Sequence, residues 1–175
     1  MTSFSTLNPA RLRLRRVTTA DAPAIIDIAR TAGLDTNSPY IYGLWCHDFS
    51  EYTAVAADDD HVAGFIMCYP RPAQPDHLFI WQAGVLPAYR GRGLAGDLLH
   101  HVHTGRFTYV ECTVTPSNSS SLQFLRKFAD DLNAPLRVAP FLDDTVFGAT
   151  GHEPEDLVSI GPISSDDHQP DTESK

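Results

Sequence analysis

Hydrophobic residues along the chain follow two kinds of spacing, one typical of helices and one typical of strands. Apolar residues three and four positions apart predict four amphipathic helices. Gly33 is a typical residue to end the first of them. Ser38 and Pro39 are residue types preferred at the N-cap and first position, and they begin the second. The predicted helices cover about 22–32, 39–47, 94–102 and 118–131.

Shorter runs rich in β-branched and aromatic residues predict strands between the helices. The segment from Leu78 to Leu86 is nearly all apolar, which indicates a central strand. The segment from Pro70 to Pro75 is predicted to be a loop, because proline has no N–H to donate to a ladder. The pattern predicts an α/β (α+β) fold with a mixed central β-sheet and helices on its faces. The predicted strands cover about 12–17, 52–57, 61–69, 78–86, 107–114, 136–141 and 157–160.

The length of 175 residues is typical of one domain, expected to span 11–163. Polar, aperiodic residues 1–10 predict a flexible arm, and residues 164–175 predict a disordered acidic tail. Residues 58–60, three aspartates, predict a turn. No apolar run approaches the ~18 residues that cross a bilayer, and we expect no signal peptide.

Charge and cysteine content make several classes of protein unlikely on physical grounds. A net charge of −9 argues against nucleic-acid binding by a broad basic surface. Three dispersed cysteines in apolar surroundings predict reduced thiols in a cytoplasmic protein. Cys112 is one of them; a nucleophilic role in a ping-pong route is the alternative to a structural thiol. His100 and His103 share a helix face with no carboxylate at ligand spacing, which predicts a solvated surface and no metal site.

The segment from Val85 to Ala95 has the form of an anion-binding site. A strand ends, a turn with two glycines follows, and a helix begins at once. Gly91 and Gly93 let the backbone approach a phosphate, and the first helical N–H groups and the helix dipole favour negative charge there. Arg90 and Arg92 add charge-assisted hydrogen bonds. The arrangement suits the pyrophosphate of coenzyme A.

Spacing alone leaves other interpretations of this segment open. A Walker loop is excluded because its Gly-Lys-Ser/Thr sequence is absent. Gly91, Gly93 and Gly96 match a dinucleotide-binding fingerprint, and Glu111 lies near the offset of its acidic residue. The mid-chain position and the arginines count against that reading. An ordinary strand-to-helix turn with surface arginines fits the bare spacing equally well.

Arg90, Gly93 and Ala95 match Arg/Gln-x-x-Gly-x-Gly/Ala, and the segment resembles motif A of the GNAT acetyltransferases. From about Arg13 to Pro162, the chain also resembles one family among them, the diaminobutyrate acetyltransferases. The resemblance implies a GNAT-like fold, acetyl transfer from acetyl-CoA to the 4-amino group of L-2,4-diaminobutyrate in ectoine synthesis, and a cytoplasmic homodimer. The segments that carry it are 34–40, 79–82, 111–118 and 151–155.

The reaction requires that a substrate ammonium group be held and deprotonated. Glu111 is the first candidate: it would pair with the ammonium and pass its proton to water, unless it is a salt-bridged strand residue. Asp35 is the second, with a capping or turn role as the alternative. Trp81 is predicted to line the substrate pocket or to pack in the core. Donors for the substrate α-carboxylate are predicted at Asn37, Ser38, Tyr40 and His152.

The resemblance implies further roles. A backbone amide at Val85 or its neighbour would face the thioester oxygen, and Asn118 would contact the coenzyme arm. Many GNAT enzymes have a tyrosine seven residues later as general acid; here Leu125 stands there, which leaves the thiolate's proton donor unassigned. That departure favours a non-catalytic acyl-CoA sensor over an acetyltransferase for this or another small amine, while the carboxylates and Trp81 disfavour it. The predicted cofactor-binding residues are Val85, Leu86, Arg90, Gly91, Arg92, Gly93, Leu94, Ala95 and Asn118.

Overall fold

Four α-helices and seven β-strands form the described part of the computed structural model, residues 12–58 and 61–164. The predicted arm, the last two residues of the predicted aspartate turn and the tail from 165 onward lie outside the described residues. None of the described helices is long and apolar enough to cross a membrane. The helices are α1 (Ala22–Ala32), α2 (Pro39–Asp48), α3 (Leu94–His103) and α4 (Ser119–Asp131). The strands are β1 (Arg13–Arg16), β2 (Thr53–Asp58), β3 (His61–Arg71), β4 (Gln74–Val85), β5 (Tyr109–Val114), β6 (Leu136–Leu142) and β7 (Glu155–Ile160).

The strands follow the order β1-β2-β3-β4-β5-β7-β6. Strands β1 and β2, β2 and β3, β5 and β7, and β7 and β6 pair antiparallel, whereas β4 and β5 pair parallel. The sheet is therefore mixed, as the sequence predicts. The chain divides into two compact units, one made of the described residues up to Cys68 with Gln82–Val102, the other of Tyr69–Trp81 with the described residues from His103 onward.

In the first unit, a network of side chains fixes the start of α1. Both Nη atoms of Arg15 donate to the Asp21 carboxylate, at 2.8 and 2.7 Å. Oδ2 of Asp21 also accepts from the backbone N–H of Thr18 at 2.8 Å and from its hydroxyl at 2.9 Å. Gly33 ends the helix with a φ of 72°, as predicted.

Close packing against Gly84 fixes β4 next to the predicted cofactor segment. A Cβ at this position would lie 2.7 Å from Cε1 of Phe65 and 3.2 Å from Cγ2 of Ile28. No side chain larger than hydrogen fits there without a shift of its neighbours. The backbone of β4 is therefore held closely one residue before Val85.

In the second unit, the proline-rich segment differs from its prediction. Strand β3 continues through Pro70 to Arg71, and β4 begins at Gln74 and includes Pro75, so only Pro72 and Ala73 form the turn. Proline's fixed φ is compatible with extended backbone, and near a strand end the missing N–H removes a single ladder bond. The predicted loop is wrong, and its residues become a hairpin that carries Arg71.

The histidines of α3 also differ in part from their prediction. His103 is 4% exposed rather than solvated. Its Nε2 donates to the Phe107 carbonyl at 2.9 Å, and its Nδ1 accepts from the Gly105 N–H at 3.3 Å. Both ring nitrogens therefore hold the turn after α3, which the sequence pattern did not indicate.

The Asp21 network yields a prediction about stability. Burial raises the pKa of Asp21, but hydrogen bonds from Arg15 and Thr18 lower it by more, so the pKa in the folded protein lies below its ordinary value. We expect Asp21→Asn to lower the free energy of unfolding by about 1–2 kcal/mol at pH 7. The stabilisation by Asp21 is present above the unfolded pKa of about 4 and is lost as pH falls through the folded pKa.

Urea unfolding at several pH values measures this difference. Asp27→Asn is the matched control, because Asp27 forms an exposed pair with Arg30 at 3.5 Å and is expected to change stability by less than about 0.5 kcal/mol. Equal effects of the two substitutions at pH 7 would contradict the prediction.

Candidate active site

The predicted cofactor segment forms a glycine-containing turn before α3 in the first unit, and this turn with the first amides of α3 is called the cradle below. After β4, a short 3-10 turn (Pro87–Tyr89) leads to Gly91 and Gly93, whose φ angles are 73° and 81°. These left-handed conformations favour glycine. The first hydrogen bond of α3 joins the Asp97 N–H to the Gly93 carbonyl at 3.1 Å. The amides of 94–96 therefore lie ahead of the helix's own hydrogen bonds, as an anion-binding helix start requires.

The two arginines of the turn have distinct positions. Arg90 donates from Nε to the Val85 carbonyl at 3.1 Å, which ties the turn to the end of β4. A phosphate bond from Arg90 must then come from its terminal nitrogens. The Arg92 guanidinium lies over the Tyr89 ring, 5.8 Å from its centroid. Both side chains are exposed, so they are available to a bound anion.

A concave surface lies beside this turn within the first unit. Its volume is about 230 Å³, and Arg92 and Tyr89 contribute to it with Asp97. Its apolar lining comes from Leu12, Leu14 and Leu94. A larger concavity of about 520 Å³ in the second unit is lined by 105–108 and 162–164, and none of the predicted site residues is among them. The volume of a concavity alone therefore does not identify the predicted active site.

One neighbour of Val85 has an amide that is already engaged. The Leu86 N–H donates to the Ala63 carbonyl at 2.9 Å within the fold. Val85 therefore stays the predicted oxyanion donor in preference to Leu86. Leu86 remains a predicted cofactor-binding residue, because it lies between the end of β4 and the 3-10 turn.

The predicted substrate segment before α2 is anchored by a residue that sequence reasoning did not single out. The Gln82 side chain on β4 donates to the Asp35 carbonyl at 2.8 Å and accepts from the Tyr42 hydroxyl at 3.0 Å. Asp35 and its predicted companions Asn37, Ser38 and Tyr40 lie on an exposed stretch, and Ser38 occupies the N-cap of α2. Gln82 thus fixes the backbone of this segment.

Glu111 lies in a charged cluster of the second unit. The residue is 5% exposed. Its Oε2 lies 2.5 Å from Nε of Arg71, and its Oε1 lies 3.3 Å from Nδ1 of His77. The His77 ring stacks on Tyr109 with centroids 4.3 Å apart. These contacts match the alternative that the sequence left open for Glu111, a strand residue in a salt bridge.

Strand register places Trp81 on the same sheet face as Glu111. The parallel ladder pairs His77–Phe79 with Tyr109–Glu111, and Phe79 is opposite Glu111. Side chains alternate along a strand, so His77, Phe79 and Trp81 share the face of Glu111. The pairing of β4 with β5 ends at Phe79 and Glu111, three residues before β5 itself ends at Val114.

Asn118 and His152 occupy positions with local partners. Asn118 caps α4: its Oδ1 accepts from the Ser121 N–H at 3.1 Å, which leaves its amide NH₂ as the group for a coenzyme contact. His152 stacks on Phe147 at 4.2 Å, and its Nδ1 donates to the Glu153 carbonyl at 2.6 Å.

His152 precedes β7, whose Asp156 pairs with Val114 while Ser159 pairs with Glu111. Three residues of strand, about 10 Å, separate these two pairs. The strand pairing therefore does not bring His152 together with Glu111. A donor role for His152 would place the substrate carboxylate toward the Val114 end of β5, away from Glu111.

Burial makes Cys112 a poor nucleophile. Burial raises the pKa of this thiol to about 12, and the charges of Glu155 and Glu111 add to the effect. A thiol with this pKa is almost fully protonated at neutral pH. Direct attack of the amine on the thioester therefore fits the site better than a ping-pong route. Among the described residues, no group of three or more His, Cys, Asp or Glu side chains is arranged to hold a metal ion.

Sequence reasoning missed three residues of the site, Arg71, His77 and Gln82. Arg71 lay in the segment predicted as a loop, and His77 stood one residue before the predicted central strand. A signal was present for Gln82, because the segment 79–82 carried the family resemblance. The position of Arg71 depends on the hairpin turn, which no glycine or asparagine marks.

Comparisons with known proteins identify the family of the chain. Residues 22–129 match the model of the Acetyltransferase (GNAT) family. The chain is 39% identical over 158 residues to L-2,4-diaminobutyric acid acetyltransferase of Shouchella clausii (strain KSM-K16), an alignment that covers 88% of this chain and 89% of that protein. It is 40% identical over 163 residues to the Streptomyces coelicolor protein of the same name, covering 89% and 96%. The structure of diaminobutyrate acetyltransferase EctA from Paenibacillus lautus, in complex with L-2,4-diaminobutyric acid and coenzyme A, superposes with a TM-score of 0.80 at 31% identity, covering 86% of this chain and 95% of that one.

The cradle geometry predicts an effect on cofactor binding. Gly93→Ala places a side chain at a φ of 81°, where the added Cβ meets nothing within 4 Å, so the cost is backbone strain of about 1–2 kcal/mol. We expect the dissociation constant for coenzyme A, measured by calorimetry, to rise about tenfold.

Gly43→Ala is the matched control for this change. Gly43 lies inside α2, away from the cradle, without a positive φ, and its added Cβ also meets nothing within 4 Å. This variant should keep its affinity and gain about 1 kcal/mol of helix stability. An unchanged affinity in Gly93→Ala would rule out the cradle as the phosphate site.

Proposed function

The chain belongs to the GNAT acetyltransferase family, and we propose that it transfers the acetyl group of acetyl-CoA to the 4-amino group of L-2,4-diaminobutyrate. The observation that carries the proposal is the pair of left-handed glycines that opens α3 and exposes its first amides. Relatives about 40% identical over nearly 90% of the chain bear the name of this activity. Acetyl-CoA is the co-substrate, and the catalytic domain is proposed to span 11–163.

The chemistry is attack of a neutral amine on a thioester carbonyl. The amides at the start of α3 hold the pyrophosphate, and the terminal nitrogens of Arg90 add charge. The Val85 amide stabilises the oxyanion that forms on the carbonyl. Asn118 contacts the coenzyme arm through its amide group.

The substrate carries two ammonium groups, and the sequence analysis supplies two candidate carboxylates for them. We assign Asp35 and Glu111 as their partners, and Trp81 as the apolar wall beside Glu111. Asn37, Ser38, Tyr40 and His152 remain proposed donors to the substrate carboxylate. An ammonium group near pKa 10 must lose a proton before attack, so one of these carboxylates also starts the path of that proton to water.

The biological setting is proposed from the family resemblance. We place the reaction in ectoine biosynthesis, the production of a compatible solute under osmotic stress, in the cytoplasm. We also propose a homodimer that buries the outer strand β6. Six of its seven residues have exposed or partly exposed apolar side chains, among them Val138 at 45% and Phe141 at 47%. Val146, just after this strand, is 62% exposed. Apolar edge strands of this kind tend to be covered by a partner.

A thiol-release assay with acetyl-CoA tests the activity. We expect turnover with L-2,4-diaminobutyrate, with the acetyl group on the 4-amino nitrogen as judged by NMR of the product. Putrescine, which has no carboxylate, should react at least about tenfold more slowly in kcat/KM. Turnover confined to other amines would indicate another GNAT substrate, and coenzyme A binding without turnover would indicate a sensor.

Light scattering tests the oligomeric state. The chain mass is 19.2 kDa, and we expect a particle of twice that mass. Val138→Lys introduces a charge into the proposed contact and should shift the protein toward the monomer. Gln123→Lys, on the exposed surface of α4, adds the same charge and should leave the mass unchanged. A monomeric wild-type protein would refute the dimer without affecting the proposed reaction.

A further inference from the structure

The cluster of Arg71, His77 and Glu111 contains buried polar atoms without hydrogen-bond partners. Within the described residues these atoms are Nε and Nη2 of Arg71, Nδ1 of His77 and Oε2 of Glu111. The Arg71 contact with Glu111 is an ion pair and the His77 contact is a close N···O approach, and neither has hydrogen-bond geometry. Native proteins satisfy the great majority of buried polar groups. Four such atoms in one cluster therefore indicate a group that binds there.

The cluster combines both signs of charge. The Arg71 side chain is 20% exposed and the Glu111 side chain 7%, so both charges are largely withdrawn from water. An isolated anion would satisfy Arg71 and repel Glu111, and an isolated cation would do the reverse. A ligand with a cation and an anion a few ångströms apart satisfies both. The head group of an α-amino acid has this structure, because its ammonium and carboxylate share one carbon.

Aromatic rings hold the arginine in place. The Arg71 guanidinium lies 4.6 Å from the Phe79 ring centroid and 5.7 Å from that of Phe141. These contacts restrict the planar guanidinium, and a held guanidinium suits two parallel hydrogen bonds to a carboxylate. His77, stacked on Tyr109, restricts the other oxygen of Glu111.

We propose that Arg71 and Glu111 bind the α-amino-acid head group of the acetyl acceptor. Nε and Nη2 of Arg71 donate to the α-carboxylate, and Oε2 of Glu111 accepts from the α-ammonium. This inference rests on the proposed function and changes two of its assignments. Glu111 pairs with the α-amine instead of the reacting 4-amine that the sequence suggested. Arg71 becomes the main donor to the α-carboxylate, in place of Asn37, Ser38, Tyr40 and His152. Pairing with Glu111 keeps the α-amine protonated and non-nucleophilic, so the acetyl group goes to the side-chain amine.

Two substrate analogues separate the two contacts. 1,3-Diaminopropane is 2,4-diaminobutyrate without its carboxylate. 4-Aminobutyrate is 2,4-diaminobutyrate without its α-amine. A charge-assisted hydrogen bond contributes about 1.5–3 kcal/mol, so wild-type kcat/KM should be at least about tenfold lower for each analogue.

Each variant should lose the discrimination against one analogue, the one that lacks the group bound by the substituted residue. In Arg71→Gln, the preference for 2,4-diaminobutyrate over 1,3-diaminopropane should fall tenfold or more, mainly through KM, with Arg71→Lys in between. In Glu111→Gln, the preference over 4-aminobutyrate should fall in the same way. Arg126→Gln, on the exposed surface of α4, is the matched control and should keep both preferences.

Folding of each variant is checked by circular dichroism and by coenzyme A affinity, which should match the wild type. A fall in these kcat/KM preferences of less than tenfold would overturn the head-group site. An equal loss of kcat/KM with all three substrates in folded variants would also overturn it. A loss of kcat with every substrate in Glu111→Gln would return Glu111 to the reacting amine. If the wild-type protein acetylates no diamine at all, the proposed function fails first, and the two failures are thereby distinguished.

Discussion

The alternation of side chains along β4 decides which residues of the second unit can act together. The pairing of Phe79 with Glu111 fixes the register, and every second residue of β4 then faces the same way as Glu111. His77, Phe79 and Trp81 consequently form one row. A slip of one residue would turn all three away and replace them with residues of the opposite face. The register therefore underlies the assignment of Trp81 and the charged cluster alike.

A buried ion pair is costly, and the contacts around Glu111 show how that cost is limited. Withdrawing a carboxylate and a guanidinium from water costs several kcal/mol per ion, which attraction offsets only with good hydrogen-bond geometry. Here the geometry is incomplete, although aromatic rings flank the cation. A hydrophobic pair of similar volume would pack more favourably. An incompletely satisfied pair at this position is better explained by ligand binding than by stability.

The features predicted correctly from the sequence are those that residues close together in the chain determine. The helix limits at Gly33 and Pro39 follow from conformational preferences of single residues, and the α3 cradle follows from two glycines. The insertion of β7 between β5 and β6 was not predictable, because strand order depends on contacts distant in sequence. Arg71 was missed for the same reason: its contacts with Phe79 and Glu111 depend on β4 folding back through an unmarked turn.

The absence of a general acid at Leu125 is compatible with catalysis once the protons are counted. That side chain is 1% exposed and has no proton to give. After a neutral amine attacks, its nitrogen is cationic and must lose one proton, and the departing thiolate needs one. Transfer from the first to the second, directly or through water, balances the reaction. Only the initial ammonium proton then requires a protein carboxylate. On the proposed assignment of Glu111 to the α-amine, we assign that step to Asp35, whose exposed segment gives water direct access.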